Sequence, residues 1–364
     1  MRVSKRAHMI RPLAVLCAAV VGSTGPPAAA DELPEMMDRQ TVQAVEKGLA
    51  YLARTQRPDG SWLSGGSRGT YPGAMTALGG LAMLAGGSTP ESGPYARHVT
   101  RAMNYTLRLS ESRDDGLITG AREGRPMYSH GFSMLFLAQC YGNEISKEYE
   151  ERIRVALDKA VQLTARSQSD LGAARNHAGG WMYQPHSNYD EGSVTVTQLQ
   201  ALRACRNAGI KVPASTIDRA VAYLKFCQNS DGGIAYSASS PGYSRPAISA
   251  AAIACFYAAG VYDRTTGGEG TEAEMVEKLV EYVKDKAFEH SGWFYYTHLY
   301  MAQGMYQRGG EEWEEYFPEI RKQLLENQAP DGSWHGDGIG TTYGTALSCM
   351  ILQLPYGYLP VVQR

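Results

Sequence analysis

Gln56-Arg57-Pro58-Asp59-Gly60-Ser61-Trp62, near one end of the chain, and Gln328-Ala329-Pro330-Asp331-Gly332-Ser333-Trp334, near the other, spell the same seven-residue pattern. A third copy keeps its spacing as Gln228-x-x-Asp231-Gly232. In such a segment Asp accepts backbone N–H bonds, Gly takes a positive φ and Trp covers a helix end, so each copy marks a turn. Asp115-Gly116-Leu117, Gly179-Gly180-Trp181 and Ser291-Gly292-Trp293 are weaker relatives. Counted at Gly60, Gly116, Gly180, Gly232, Gly292 and Gly332, the six turns lie 56, 64, 52, 60 and 40 residues apart, enough for two helices per repeat.

The segments before and after these turns differ in kind. Tyr95, Val99, Met103 and Leu107 step by four, as do Ile153, Leu157 and Val161, and Ile217, Ala220, Val221 and Leu224 follow i, i+3, i+4, i+7. That spacing predicts amphipathic helices with one solvated face. After the turns, Thr76–Gly87 and Ala247–Gly260 are apolar nearly all round, as expected of helices buried on every side. Gly87, Gly142, Gly209, Gly260 and Gly309 supply left-handed helix stops. Thr76, Thr197, Ser249, Thr297 and Thr345 place a hydroxyl near each inner-helix start, suited to capping or packing. Six amphipathic helices alternating with six buried ones predict an all-α fold, an (α/α)6 toroid closed into a double-layer ring over residues 40–364. An open array would require polar capping repeats, whereas Leu352–Val362 is apolar and suited to sealing a ring.

Arg2, Lys5, Arg6 and Arg11, the apolar run Pro12–Val21 and the small-residue segment ending Ala28-Ala29-Ala30 predict a cleaved signal peptide over 1–30, a linker over 31–39 and export to the periplasm or beyond the cell. Removing Cys17 with that peptide leaves Cys140, Cys205, Cys227, Cys255 and Cys349, an odd count without C-x-x-C. These predict buried thiols rather than a disulfide framework or zinc site, with one Cys205–Cys255 bridge left open because the two occupy similar places in successive repeats. The net charge of -2 removes the basic footprint of a nucleic-acid binder, and no apolar run reaches transmembrane length.

The Q-x-x-D-G-S-W turns resemble the repeats of squalene–hopene cyclases, and the six helix pairs resemble the α/α toroid that terpenoid cyclases share with protein prenyltransferase β subunits. The resemblance spans Thr41–Leu359 and implies the architecture; function is decided elsewhere. Such cyclases protonate an isoprenoid through D-x-D-D before an inner helix. This chain has none, and its nearest match is Tyr189-Asp190-Glu191-Gly192-Ser193, with Glu191 at the central acid position and Asp190 beside it. Prenyltransferases bind zinc through Asp, Cys and His. Here Tyr296 stands where that His would, His298 lies two places on, and D-x-C is absent. No cofactor or metal is expected.

The polar loop Asn176–Glu191 carries His177, His186, Tyr189, Asp190 and Glu191, which suit acid–base work at the mouth of the ring. Tyr outnumbers Phe by 23 to 7. Tyr295, Tyr296 and Tyr300 crowd the fifth inner helix with His298, and Tyr128, Tyr243 and Tyr343 precede or open others. Hydroxylated rings suit saccharides or carbocations. No G-x-S-x-G nucleophile elbow, H-E-x-x-H or Gly-rich phosphate loop is expected. Three function classes follow: an exported toroid binding a small molecule or a protein partner in its central cavity without the family's catalysis, a diverged isoprenoid enzyme using Glu191 as acid, and a polysaccharide-active enzyme.

Overall fold

Twelve α-helices account for most of the computed structural model, which describes residues 33–143, 145–170, 179–260, 271–288 and 292–362. The segment expected to be a signal peptide, His177 and Ser291 lie outside the described residues. The outer helices are α1 (Arg39–Thr55), α3 (Ala96–Glu111), α5 (Lys147–Arg166), α7 (Ala214–Phe226), α9 (Glu272–Lys286) and α11 (Gly310–Glu326). The inner helices are α2 (Pro72–Ala85), α4 (Pro126–Cys140), α6 (Gly192–Asn207), α8 (Pro246–Ala258), α10 (Phe294–Arg308) and α12 (Thr341–Leu352). Each inner helix packs on the next, and α12 packs on α2, so the ring closes as predicted. Outer helices bury one stripe, for instance Val99, Ala102, Met103, Thr106, Leu107 and Ser110 of α3, whereas every residue of α2 from Gly73 to Ala85 is buried. None of the described helices is long and apolar enough to cross a membrane.

The turns act as three-way junctions. Trp62 donates its backbone N–H to Thr76 Oγ1 (3.1 Å) at the start of α2 and its indole N–H to Leu52 O (2.8 Å) at the end of α1. Gln56 Nε2 reaches Gly60 O and His98 O of α3, both at 3.0 Å. Asp59 accepts from Ser61 N–H (3.0 Å) and Oγ (2.7 Å). Gly60 sits at φ +93°, where a Cβ would lie 2.2 Å from Arg101 O, so conformation and space both require glycine. The Trp334 junction repeats this with Thr345, Leu324 and, across the ring closure, Ala44 and Lys47 of α1.

Three details correct the sequence-based register. In the third turn the left-handed residue is Gly179 (φ +138°), not Gly180. The hydroxyl receiving the Trp181 N–H is Thr195 (3.0 Å), not Thr197. In the second repeat His130 replaces the hydroxyl, its Nδ1 accepting from Ile118 N–H (3.1 Å) while Nε2 faces Thr164 Oγ1 (2.9 Å). That pairing fixes the neutral tautomer protonated on Nε2, and burial lowers the ring's pKa to about 4. All five described cysteines are buried and free, so the Cys205–Cys255 bridge does not form.

The centre of the ring is filled rather than hollow. Tyr296, Tyr300 and Gln303, spaced along one face of α10, reach across to α6. Tyr296 Oη donates to Ser193 O (3.1 Å), Tyr300 Oη lies 3.5 Å from Thr197 Oγ1, and Gln200 Nε2 donates to Gln303 Oε1 (2.9 Å). Beyond this ladder Leu354, Leu359 and Val361 of the C-terminal strap enter the bore, leaving an apolar cavity of about 30 Å³, space for little more than a water molecule. The strap is pinned by Val361 N–H to Gln139 Oε1 (3.3 Å).

Candidate functional site at the mouth of the ring

With the bore packed, polar side chains gather where the inner helices begin. Ser193 opens α6, Tyr128 opens α4 and Tyr296 opens α10, and all three meet: Tyr128 Oη lies 2.5 Å from Ser193 Oγ. Glu191 is the N-cap of α6. Its Oε2 accepts from Ser193 N–H (3.1 Å) and Oγ (2.6 Å), and Oε1 accepts from Val194 N–H (2.5 Å). The Tyr236 hydroxyl also bonds this carboxyl, and Tyr183 Oη stands 2.6 Å from Tyr236 Oη. The Arg125 guanidinium lies 4.2 Å over the Tyr183 ring, within reach of Tyr71, Tyr128 and Tyr236. The mouth is thus a chain of contacts from an exposed cation through Tyr183 and Tyr236 to a buried carboxyl, with Tyr128 joined to it by Ser193.

Burial raises the Glu191 pKa, and the bonds from Ser193, Tyr236 and Val194 oppose that rise. Both oxygens are occupied as helix caps, so the carboxyl has the protonation energetics of an acid but the engagement of a structural group. Asp190 points the other way. It accepts from Tyr223 Oη (2.8 Å), Ser237 Oγ (2.9 Å), Ala238 N–H (2.7 Å) and Ser239 N–H (3.1 Å), anchoring the loop before α8. The adjacent pair therefore divides into one residue facing the mouth and one buried anchor.

Two carboxyls that sequence reasoning passed over complete the pattern. Asp337 accepts from Tyr295 N–H (3.3 Å) and Tyr296 N–H (3.2 Å), capping α10 from the loop before α12, with its own φ at +46°. Burial lifts its pKa to about 6 against those bonds. Tyr343 Oη faces this carboxyl yet completes no hydrogen bond among the described residues. Glu123 caps α2 in the same fashion through Gly73 N–H (2.9 Å) and ties its own loop through Gly120 N–H (3.1 Å). Three alternate inner helices are each capped by an acid, buried at Glu123 and Glu191 and half-buried at Asp337, two of them supplied by another repeat. The only signal in the sequence was Asp337 inside a glycine-rich run, where turn chemistry explained it equally well. The expected absence of a nucleophile elbow fails as a pattern at Gly65-x-Ser67-x-Gly69. That run spells the serine-hydrolase elbow but joins a turn to a helix without the strand that such an elbow needs.

The remaining candidates separate. His186 (φ +60°) and Tyr189 (67% exposed) are solvent-facing and apart from Glu191's contacts. Tyr295 is buried beside Asp337, and Tyr296 spans the bore. His298 leaves the site altogether. It packs outward with Phe288, Phe294 and Tyr316, its Nδ1 2.9 Å from Tyr316 Oη, and burial lowers its pKa to about 3. Being two residues on from Tyr296, it emerges on another helix face. No group of three potential metal ligands occurs among the described residues.

Neither family models nor curated proteins match this sequence. Solved structures do. An α-1,6-mannanase from Salegentibacter sp. HEL1_6, an inactive variant with two aspartates replaced and α-1,6-mannotetraose bound, superposes with a TM-score of 0.64 at 11% identity, covering 87% of this chain and 99% of that one. A type II terpene cyclase from Scytonema gives 0.55 at 16% identity, covering 88% and 99%. A protein from Actinoplanes gives 0.54 at 15%, covering 87% and 99%. The chain therefore has the α/α-toroid fold.

Proposed function

We propose that this chain binds a saccharide at the tyrosine-lined mouth of its toroid and does not carry out isoprenoid chemistry. The observation that carries this is the Arg125–Tyr183–Tyr236–Glu191–Ser193–Tyr128 network, an array of aromatic faces, hydroxyls and a carboxyl typical of sugar recognition in its chemistry. A cyclase needs a bore that encloses an apolar chain, and the ladder from α10 to α6 occupies that space. The mannanase neighbour, crystallised with an oligosaccharide, shares the fold and adds weight. Export, as the N-terminal sequence predicts, would bring the mouth to extracellular glycans.

Cleavage of the bound glycan is a second reading, favoured by the raised pKa of Glu191, a property of carboxyls that deliver protons near neutrality. Asp190 has no such role, being consumed as an anchor. A glycan panel probed with the mature protein tests the first reading. Saccharide binding that weakens when Tyr183 and Tyr236 are both changed to Phe supports it. An extracted polyprenyl lipid or a co-purifying protein, with no glycan bound, overturns it. If turnover is found, Glu191→Gln retaining it removes the second reading.

A further inference from the structure

We infer that the mouth is built for an acidic saccharide, with Arg125 and Arg122 as the residues that select its negative charge. This rests on the saccharide-binding proposal and narrows its substrate class. Immediately outside the mouth runs a solvent-open groove of about 560 Å³, the size of a small-molecule site. Its walls include Ser112, Arg113, Thr119, Arg122, Gln184 and Pro185. Gln184 Nε2 donates to Gly124 O (2.9 Å), tying the groove's far wall to the residue before Arg125. Tyr183, whose ring carries the Arg125 guanidinium, directly precedes Gln184 in sequence, so Arg125 stands beside the groove that Arg122 lines.

The charge balance of that path is uneven. Among the described residues, no carboxylate lies within ion-pair distance of Arg122 or Arg125, and both are exposed. Arg122 is held at φ +64°, a left-handed conformation that is uncommon for a residue without Asn or Gly character. Arg113, the third cation, is neutralised by Asp115. The nearest acids, Glu123 in the groove wall and Glu191 at the mouth, are engaged by other groups than the arginines. Glu123 spends its oxygens on Gly73 N–H, Gly120 N–H and the Thr119 hydroxyl, and Glu191 spends its own on α6. An unpaired guanidinium stacked on tyrosine is suited to a planar carboxylate or a sulfate ester on a pyranose, because the fork binds the anion while the ring beneath takes a sugar face.

Calorimetric titration of the full chain with a galacturonate hexamer, a sulfated galactose hexamer and a neutral galactose hexamer tests this. The expected result is that at least one acidic hexamer binds about tenfold or more tightly than the neutral one near 10 mM salt, with the preference shrinking by about 0.5 M. Whether carboxylate or sulfate wins identifies the source of the charge. Arg125→Gln and Arg122→Gln should each draw the acidic-to-neutral ratio toward one, and Arg125→Lys should keep part of it. Equal binding of all three hexamers, or an unchanged ratio in both Gln variants, overturns the charge selection while leaving saccharide binding standing. Binding of none of them overturns both.

Discussion

The Tyr296 hydroxyl donates to the Ser193 carbonyl across the bore at 3.1 Å, joining α10 to α6, which are not neighbours in the ring. The same tyrosine offers its backbone N–H to Asp337. One residue thus stitches the bore-filling ladder to the acid caps at the mouth, and shortening it should be felt in both places. Tyr296→Phe removes one buried hydrogen bond and should cost about 1 kcal/mol. Tyr296→Ala also leaves a void and should cost about 3–5 kcal/mol. Chemical denaturation of both variants measures the difference; equal losses would mean that the hydroxyl, not the ring, dominates.

Gly332 and Gly65 offer a controlled comparison. Both have positive φ, +88° and +76°, but a Cβ at Gly332 would lie 2.5 Å from Lys47 O whereas one at Gly65 meets nothing within 4 Å. Gly65→Ala should cost only the conformational penalty, roughly 1 kcal/mol. Gly332→Ala should cost several-fold more because it also wedges α1 from the last turn. Urea midpoints for the two variants check the ordering.

Asp337 gives a pH signature. Its pKa is raised from 3.8 to about 6 in the fold, so between those values the folded chain holds a proton that the unfolded chain has released. Its contribution to stability is therefore complete below about pH 4 and is lost as pH rises through 6. In Asp337→Asn this dependence disappears, and Asn also tolerates the left-handed φ. Relative to the parent, the variant should gain on the order of 2 kcal/mol between pH 4 and pH 7. Taking the difference cancels the opposite trend from His130, whose lowered pKa favours the fold as pH rises. Thermal melts at several pH values across that window decide the matter.

The free cysteines should be silent in the native state. Burial pushes the Cys227 thiol up to about 12 and the other four still higher, so thiolate is scarce at neutral pH. A thiol reagent should label none of Cys140, Cys205, Cys227, Cys255 and Cys349 in the native protein and all of them after denaturation. Fewer than five labelled sites in the mature, unreduced chain would reveal a disulfide.

The ring was legible because its evidence is local and repeated. A Gln, an Asp-Gly step and a Trp recur together, and the same contacts recur with them. The register errors at Thr197 and Gly180 arose where the third turn departs from the repeat's spelling. The mouth was only partly legible. Glu191 could be found since it caps the helix that follows it, but Asp337 and Glu123 cap helices belonging to other repeats, a relation that no spacing encodes. The tyrosines of α10 were visible as a cluster. Their role was not, since whether Tyr296 lines a cavity or fills one depends on α6, a hundred residues earlier in the chain.

The last junction places Gln328 Nε2 on Ala44 O, a partner 284 residues earlier, and brings Trp334 and Cys349 against Gly48 of α1. The first helix to be synthesised is therefore the last to be completed. While the chain is being made, and again if it crosses a membrane unfolded, the apolar stripe of α1 waits without its partner until nearly the whole polypeptide has emerged. Shielding that helix in the interval falls to whatever chaperones accompany the nascent chain. A product cut short before Trp334 leaves two raw edges in place of a ring, and quality control has a simple surface by which to recognise it.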